Sequence, residues 1–173
     1  MPHRLKQKVD AATVQARVAE LGAAISRDYK GRDLVMVCVL KGAFLFFADL
    51  VRQVTIEPEI DFVRLASYGD STSRGGEMRF TKDLEVAIHD KHVLIVEDIV
   101  DSGHSMAYLT HVFAKRGPKS LKICALVDKR ERREIDLAVD YPGFEVNGFL
   151  VGYGMDYAER YRELNALFEL VNE

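Results

Sequence analysis

The sequence is poor in cysteine and has no long hydrophobic run. Its 173 residues contain only two cysteines, Cys38 and Cys124, and both lie inside apolar, strand-like segments. No further ligands are spaced around them, so we interpret them as reduced core residues of a cytoplasmic protein rather than as a disulfide or a metal site. No segment approaches the roughly 18 apolar residues of a membrane span. The basic segment from Met1 to Lys6 also lacks the apolar region of a secretory signal.

Several other functional signatures are missing. The net charge of −3 argues against a general nucleic-acid binder. No Gly-x-Gly-x-x-Gly follows a predicted strand, so a dinucleotide-binding fold has no support. Metal-ligand spacing is absent among the histidines His3, His89, His92 and His111. What is present is an ordinary globular composition, 48% hydrophobic and 29% charged, which favours one domain over residues 1–173.

Segments of strand length alternate with segments of helical period. Strands are predicted at 34–39, 60–66, 93–96, 121–127, 144–146 and 149–153, and helices after Asp10 and at 43–54, 104–116 and 157–164. The polar, glycine-rich segment 67–80 is predicted as a long loop. This alternation predicts an α/β fold with a doubly wound, mainly parallel sheet flanked by helices.

Thirteen residues, VLIVEDIVDSGHS from Val93 to Ser105, carry the strongest signal in the chain. An apolar strand ends at two adjacent carboxylates, Glu97 and Asp98, and Asp101 follows two apolar residues later. Taken alone, an acid after a strand also fits a simple helix N-cap. The small residues that follow, however, open a predicted helix whose backbone N–H groups favour an anion. The segment suits a ligand with a phosphate at one end and hydroxyl groups or a metal ion beside it.

Other polar residues also follow predicted strands. In a parallel α/β sheet, ligands bind beyond the carboxyl ends of the strands. The residues that meet this condition are Lys41, Ser67-Tyr68, Glu97 to Ser105, Asp128-Lys129 and Gly152 to Asp156. The sequence therefore predicts one site at this edge of the sheet.

The segment from Val93 to Gly103 resembles the phosphoribosyl pyrophosphate (PRPP) motif of the purine phosphoribosyltransferases. Nearly the whole chain can be matched to the hypoxanthine–guanine type of that family. The resemblance implies a type I phosphoribosyltransferase fold with a small hood formed by N- and C-terminal segments. It also implies a pentosyltransferase that moves 5-phosphoribosyl from PRPP to N9 of hypoxanthine or guanine in purine salvage, giving IMP or GMP and pyrophosphate.

The resemblance assigns roles within the motif. Glu97 and Asp98 are similar to the acidic pair that meets the ribose hydroxyls, directly or through magnesium-bound water. Asp101 corresponds to a general acid/base near purine N7. The 5′-phosphate is expected at Ser102, Gly103, His104 and Ser105, where His104 contributes only its backbone N–H.

Two loops resemble parts of the same family. Leu40-Lys41-Gly42 is similar to the pyrophosphate loop, where glycine permits close approach and lysine supplies positive charge. The family often holds the peptide bond before this lysine in the cis form. The sequence does not decide whether the bond between Leu40 and Lys41 is cis. Ser67 and Tyr68 open segment 67–80, which resembles a flexible active-site loop that excludes water. Alone, the first segment also fits a helix start and the second an ordinary surface loop.

The base site is expected from Lys129, Phe149 and Leu150. Lys129 resembles the lysine that donates to the purine 6-oxo group and so selects against adenine. Phe149 is placed like the ring that stacks on the purine, and Leu150 like the residue whose backbone meets the base edge. Without the resemblance, Lys129 also fits a surface lysine in a charged segment, and Phe149 a core aromatic residue.

The resemblance further implies Mg²⁺ as the cofactor. Asp156 is similar to a ligand of a second magnesium, beside the metal expected at Glu97 and Asp98. Arg162 matches an arginine that reaches pyrophosphate, whose oxygens suit the planar guanidinium fork. The expected partners are PRPP and 6-oxopurine bases, with no nucleic acid and no membrane. Because the family forms dimers or tetramers, a homodimer or homotetramer is expected.

Two other classes of protein share parts of this sequence pattern. A PRPP-sensing regulator keeps the PRPP motif but loses the base chemistry; Lys129, Phe149 and Asp156 argue against it, as do the negative charge and the lack of room for a DNA-binding domain. A phosphorelay receiver domain also places acids and a lysine at strand ends. Its acidic pair, however, follows the first strand, whereas here the pair follows a middle one and Ser102-Gly103 would have no role.

Overall fold

The computed structural model describes residues 3–68 and 77–172. Within these ranges the chain forms nine strands, three α-helices and one short 3₁₀ helix. The strands are β1 (His3–Val9), β2 (Leu34–Leu40), β3 (Glu59–Tyr68), β4 (Glu77–Lys82), β5 (His92–Val100), β6 (Ser120–Asp128), β7 (Tyr141–Phe144), β8 (Leu150–Val151) and β9 (Leu167–Asn172). The helices are α1 (Ala11–Asp28), α2 (Phe44–Gln53), α3 (His104–Ala114) and the 3₁₀ helix Arg130–Arg132.

The main sheet has the strand order β4-β3-β2-β5-β6-β7, and all of its neighbours pair in parallel except β3 and β4. Strands β2 and β5 lie at its centre and are buried on both faces, which explains their nearly continuous apolar sequences. From this centre the chain proceeds to β3 on one side and to β6 on the other. The strand order thus reverses between β2 and β5, where ligands of doubly wound sheets bind.

Helices cover both faces of the main sheet. On one face, α1 buries Val14, Val18, Leu21 and Ile25 together with residues of α2. On the other, α3 buries Met106, Leu109 and Phe113 against β5 and β6. The predicted α/β architecture is confirmed, and the helical period read from α1 identified its buried face.

A second, antiparallel sheet has the order β1-β9-β8. It joins the first and last described segments of the chain and corresponds to the expected hood. Strands β1 and β9 were not predicted, because their polar and apolar residues mix without a clear period. Of the helices in the described part of the chain, none has the length and apolar character needed to cross a membrane.

Two predicted boundaries are wrong. Strand β5 does not end before Glu97: it continues through Asp98 to Val100, because its parallel pairing with β6 extends to Asp128. The predicted loop 67–80 has strands at both ends, since β3 runs to Tyr68 and pairs antiparallel with β4. Residues 69–76 lie outside the described residues, so the proposed closure of this loop stays a prediction.

The short helix predicted at 157–164 is also wrong. This segment forms turns, with a bridge between Tyr157 and Arg160. Ala158, Glu159 and Tyr161 all have positive φ, between 50° and 77°, which a right-handed helix cannot contain. The two short strands predicted after residue 143 are shifted or shortened to β7 and β8.

Candidate active site

The turn between β5 and α3 presents backbone amides to an open cavity. Gly103 stands at the N-cap with φ 93°, and no side chain caps the helix. The Ala107 amide is the first to donate back, to the Gly103 carbonyl at 2.9 Å, so the preceding first-turn amides have no partner within the helix. The cavity has a volume of about 270 Å³ and is lined by residues 97–103, 105 and 106. The predicted anion-binding residues Ser102 to Ser105 therefore lie together at an uncapped helix N-terminus.

Arg133 stabilises the turn between β5 and α3 by contacting Asp101 and Gly103. Its Nε donates to the Asp101 carbonyl at 3.1 Å, and its two other nitrogens donate to the Leu137 carbonyl and the Asp128 carboxylate. A Cβ at Gly103 would lie 3.0 Å from Arg133 Cδ, so the arginine packs directly on the glycine. Sequence reasoning missed Arg133, because it belongs to a charged segment that was read as solvated. Asp128 was expected at the ligand-binding edge of the sheet, but its ion pair with Arg133 was not predicted.

His104 is not among the residues that line the first cavity, and its imidazole contacts Glu134 instead. His104 Nε2 lies 2.9 Å from Glu134 Oε2, and the Glu134 amide donates to the Ser102 carbonyl at 3.0 Å. The side chain therefore ties α3 to the segment after the 3₁₀ helix. This arrangement is compatible with the prediction that His104 acts through its backbone N–H.

The acidic pair lies within β5, beside the predicted pyrophosphate loop. Glu97 is buried, and its Oε1 accepts from the Asp98 amide at 3.0 Å. Burial, reinforced by the neighbouring Asp98 carboxylate, raises the pKa of Glu97 well above its usual value. A Cβ on Gly42 would lie 1.8 Å from Asp98 Oδ2. Only glycine at this position allows the loop to approach the acid so closely.

A second cavity, of about 530 Å³, shares Asp98, Ile99 and Asp101 with the first. Asp101 Oδ1 is buried within the described structure and accepts no hydrogen bond there, although Arg132 Nε lies 3.3 Å away. A buried carboxylate oxygen without a hydrogen bond is costly unless a ligand supplies one. The position of this atom suits a proton donor on a bound ligand.

Lys129 and Phe149 both line the second cavity, one as a buried cation and the other as an exposed aromatic ring. Lys129 is only 4% exposed, and its Nζ donates to the Gly148 carbonyl at 2.7 Å. Burial lowers its pKa, against the opposing charge of Asp101. Phe149 is 53% exposed, with its ring perpendicular to that of Tyr157. The alternatives of a surface lysine and a core phenylalanine are therefore both wrong.

Leu150 follows Phe149 directly and faces the other way. Its side chain is 3% exposed and belongs to the core between the two sheets. Strand β8 pairs with β9 through Leu150 and Glu169. Any contact of Leu150 with a ligand would thus be made by backbone atoms, as the sequence analysis expected.

The predicted pyrophosphate loop meets an unpredicted acid. The peptide bond between Leu40 and Lys41 is cis, which answers the question that the sequence left open. Lys41 Nζ lies 3.0 Å from Glu159 Oε2. The same oxygen lies 3.2 Å from Arg162 Nη2. Glu159 gave no sequence signal, because its segment was predicted as a helix.

Asp156 and Arg162 come together as predicted. Arg162 Nη2 lies 2.9 Å from Asp156 Oδ1, while Nη1 donates to the Gly154 carbonyl at 2.8 Å. A Cβ at Gly154 would lie 2.2 Å from the Gly42 carbonyl oxygen, so this turn packs on the Lys41 loop. Lys41, Asp156 and Arg162 therefore form one charged cluster beside the acidic pair.

Ser67 and Tyr68 end β3, beyond Arg64, the residue that pairs with Leu40 at the end of β2. Their backbones pair with Met78 and Glu77 of β4. Their side chains lie outside what the structure describes. Their proposed ligand contacts stay predictions.

The donor set fits magnesium. Among residues 3–68 and 77–172, no group of three or more His, Cys, Asp or Glu residues is arranged to hold a metal ion. Magnesium does not need such a cage, because it is commonly held by one or two carboxylates and by substrate phosphate oxygens. Glu97, Asp98 and Asp156 offer hard carboxylate oxygens near the amide turn and near the cations Lys41 and Arg162. These residues suit a metal that arrives with a phosphorylated ligand.

Comparison with known proteins agrees with this geometry. Residues 9–158 match the family described as the phosphoribosyl transferase domain. The chain is 45% identical over 167 residues to the hypoxanthine phosphoribosyltransferase of Escherichia coli (strain K12), covering 95% of this chain and 94% of that protein. It is 45% identical over 162 residues to the hypoxanthine-guanine phosphoribosyltransferase of Mycobacterium tuberculosis (strain CDC 1551 / Oshkosh), covering 90% and 80%.

A solved structure agrees as well. The crystal structure of a hypoxanthine-guanine phosphoribosyltransferase from Bacillus anthracis superimposes with a TM-score of 0.92 at 42% identity, covering 97% of this chain and 99% of that chain. That crystal holds a HEPES molecule in its active site. Sequence, fold and relatives agree over nearly the whole length. The chain belongs to the phosphoribosyltransferase family, within the group of hypoxanthine and hypoxanthine-guanine phosphoribosyltransferases.

Proposed function

We propose that this protein transfers the 5-phosphoribosyl group of PRPP to N9 of hypoxanthine or guanine, giving IMP or GMP and pyrophosphate. The observation that carries the proposal is the second cavity. The exposed ring of Phe149, the buried Lys129 and the Asp101 oxygen that accepts no hydrogen bond within the described structure all line it. A planar base with a 6-oxo group and ring nitrogens suits these three groups. The cavity adjoins the uncapped α3 turn, as joined binding of base and ribose phosphate requires.

Lys129 selects the base. Its ammonium has three N–H donors, of which one reaches the Gly148 carbonyl. The remaining donors favour a 6-oxo acceptor, whereas a 6-amino group would present a donor to a donor. The exposed ring of Phe149 provides the stacking surface that holds the base plane.

Asp101 manages the N7 proton. As N9 attacks the ribose, the imidazole part of the purine becomes more acidic and can lose that proton to a carboxylate. The buried Oδ1 of Asp101 accepts no hydrogen bond within the described structure and is available for this role. A base that brings an N–H to this oxygen also supplies its missing partner.

The remaining residues hold PRPP and stabilise the leaving group. The amides of Ser102 to Ser105 bind the 5′-phosphate, and Glu97 and Asp98 face the ribose hydroxyls. Lys41 and Arg162 receive the negative charge that develops on pyrophosphate as the bond at ribose C1′ breaks. Glu97, Asp98 and Asp156 would hold magnesium, which would supply further positive charge to the phosphate oxygens.

We also infer a cytoplasmic homodimer or homotetramer. Both cysteines are free and buried, as in reduced proteins. Ile60 and Phe62 expose apolar surface on β3, near the edge of the main sheet. Light scattering after size-exclusion chromatography would give the assembly mass; a monomer at micromolar concentration would contradict the inferred assembly.

A pyrophosphate-release assay tests the function. PRPP and magnesium are mixed with hypoxanthine, guanine, xanthine or adenine, and reactions without base or without PRPP serve as controls. We expect release with hypoxanthine or guanine and the least with adenine. PRPP binding with no turnover on any base would overturn the proposal and favour a PRPP-sensing regulator.

A further inference from the structure

One carboxylate oxygen bridges the two cations assigned to pyrophosphate. Glu159 Oε2 lies 3.0 Å from Lys41 Nζ and 3.2 Å from Arg162 Nη2. Lys41 and Arg162 come from loops far apart in the sequence, and the acid between them belongs to neither strand nor helix. A phosphate oxygen that approached the same two cations would compete with this carboxylate oxygen for them.

The backbone places Glu159 firmly, while its side chain stays accessible. The residue has a left-handed conformation, φ 62°, and its amide donates to Asp156 Oδ2 at 2.8 Å. Its side chain is 66% exposed. Lys41, followed by Arg162, lowers the pKa of the carboxyl below its usual value, so the group is charged at neutral pH. A charged side chain on a fixed backbone, open to water, can leave the cations without disturbing the turn.

We propose that Glu159 is a displaceable internal counter-ion of the pyrophosphate subsite. When no diphosphate is bound, it pairs with Lys41 and, together with Asp156, with Arg162. An incoming diphosphate must displace it. The same carboxylate pairs again with the cations as pyrophosphate departs, which lowers the affinity for this product and favours its release. This inference rests on the proposed function, since that function assigns pyrophosphate to these cations.

The displacement is expected to cost little. Exposed ion pairs contribute weakly because water screens them and because two flexible side chains must be ordered. Both pairs involve the 66% exposed side chain of Glu159; its partner Lys41 is 46% exposed, whereas Arg162 is 18% exposed. Removing the carboxylate charge should therefore raise the affinity for pyrophosphate by about three- to tenfold, not by orders of magnitude.

Calorimetric binding of magnesium pyrophosphate to the full-length protein tests the proposal. Glu159→Gln keeps the length of the side chain and removes its charge. Glu163→Gln is the matched control: it removes one charge four positions away, from an exposed side chain for which the described residues provide no ion pair. We expect about three- to tenfold tighter binding for Glu159→Gln and unchanged binding for Glu163→Gln. GMP, which occupies the opposite end of the site, should bind equally to all three proteins.

Unchanged or weaker pyrophosphate binding by Glu159→Gln would overturn the proposal; weaker binding would mean that the carboxylate holds the cations in place for the ligand. Thermal unfolding checks that the variant is folded. Should it not fold, Glu159→Asp retains the charge but shortens the reach to the two cations, and the proposal expects tighter pyrophosphate binding there too. Failure of the proposed function looks different, because the unaltered protein would then neither bind pyrophosphate nor release it from PRPP.

Discussion

The N-termini of α1 and α3 solve the same physical problem in opposite ways. Both helices begin with backbone N–H groups that have no partner within the helix. At α1, Asp10 supplies the partner: Oδ1 accepts from the Thr13 amide at 2.9 Å and Oδ2 from the Thr13 hydroxyl at 2.7 Å. At α3, Gly103 has no side chain to offer, and the amides face a cavity. A helix that only supports the fold is capped by its own chain, whereas a helix at the site leaves its donors open.

Helix α2 follows the second pattern. Its N-cap, Ala43, provides no side-chain hydrogen bond, and the helix begins directly after the Lys41-Gly42 loop. Both uncapped α-helices thus begin at loops for which we propose phosphate binding. The contrast with Asp10 sets the two α-helix starts at the proposed phosphate loops apart from the start of α1, which has its own side-chain cap.

The largest expected effect separates chemistry from anion binding at the α3 turn. In Asp101→Asn, the amides that we propose hold the phosphate stay, but the proposed acceptor for the N7 proton is lost. We expect kcat to fall by about 10²- to 10⁴-fold while the KM for PRPP changes little. Steady-state kinetics with hypoxanthine measures both values.

Asp10→Asn is the matched control for this substitution, because asparagine also caps helices and the residue lies at the other N-terminus. It should leave kcat and KM unchanged. Equal turnover by Asp101→Asn and the unaltered protein would remove the acid/base role of Asp101. A large rise in the KM for PRPP would instead assign the carboxylate to the binding of that substrate.

The next effect tests the open turn itself. In Gly103→Ala, the alanine must adopt φ 93°, and its Cβ would lie 3.0 Å from Arg133 Cδ. We expect kcat/KM for PRPP to fall by roughly 100-fold, because a shift of the turn misplaces the amides. The backbone conformation alone should cost about 1–2 kcal/mol of unfolding free energy.

Gly31→Ala isolates that backbone cost. Gly31 also has positive φ, 71°, but nothing lies within 4 Å of a Cβ there. It should lose similar stability in urea unfolding and keep its affinity for PRPP. If Gly31→Ala and Gly103→Ala reduced PRPP affinity equally, the turn would have no special role in anion binding.

A smaller effect concerns a different open donor, the ammonium of Lys129. Lys129→Ala should lower the preference for hypoxanthine over adenine by about 10- to 30-fold, the magnitude of one hydrogen bond to a charged group. Competing kcat/KM values for the two bases measure this preference. Lys30→Ala, an exposed lysine after α1, is the control. An unaltered preference in Lys129→Ala would place base selection elsewhere.

The central part of the fold was predictable because burial on both faces demands apolar residues. Strand β2 and the first half of β5 were identified for this reason, and α1 from its period and its cap at Asp10. The end of β5 was not, since Glu97 and Asp98 interrupt the apolar pattern while pairing with β6 continues. A continuous apolar run is what predicts a buried strand, and Glu97 and Asp98 interrupt that run. Here the interruption coincides with the candidate site.

The amide turn was predictable from its small residues after a strand, and the other site residues from the resemblance of their motifs to a family. Asp101, Lys129 and Phe149 were assigned in this second way, and the structure brings all three to one cavity. The contacts of Glu159 and Arg133 depend on tertiary geometry. The left-handed turn that presents Glu159 contains no glycine, so the sequence offers no sign of it. Arg133 reaches three acceptors from a segment whose charges favoured solvent exposure.

The smallest expected effect concerns α1, the helix that Asp10 caps. Asp10→Ala removes the α1 cap and should lower Tm by about 2–4 °C at pH 7, with no change in PRPP affinity. Hydrogen bonds from Thr13 lower the pKa of Asp10 below its usual 3.8. Its stabilising effect is therefore complete above that usual value and is lost as the pH falls through the lowered pKa. The difference in Tm between the two proteins should shrink in that acidic range; a difference that stayed constant would mean that the carboxylate charge does not stabilise α1. A loss of PRPP affinity in Asp10→Ala would break the distinction between the two helix ends, because a cap that serves only the fold has no route to the phosphate.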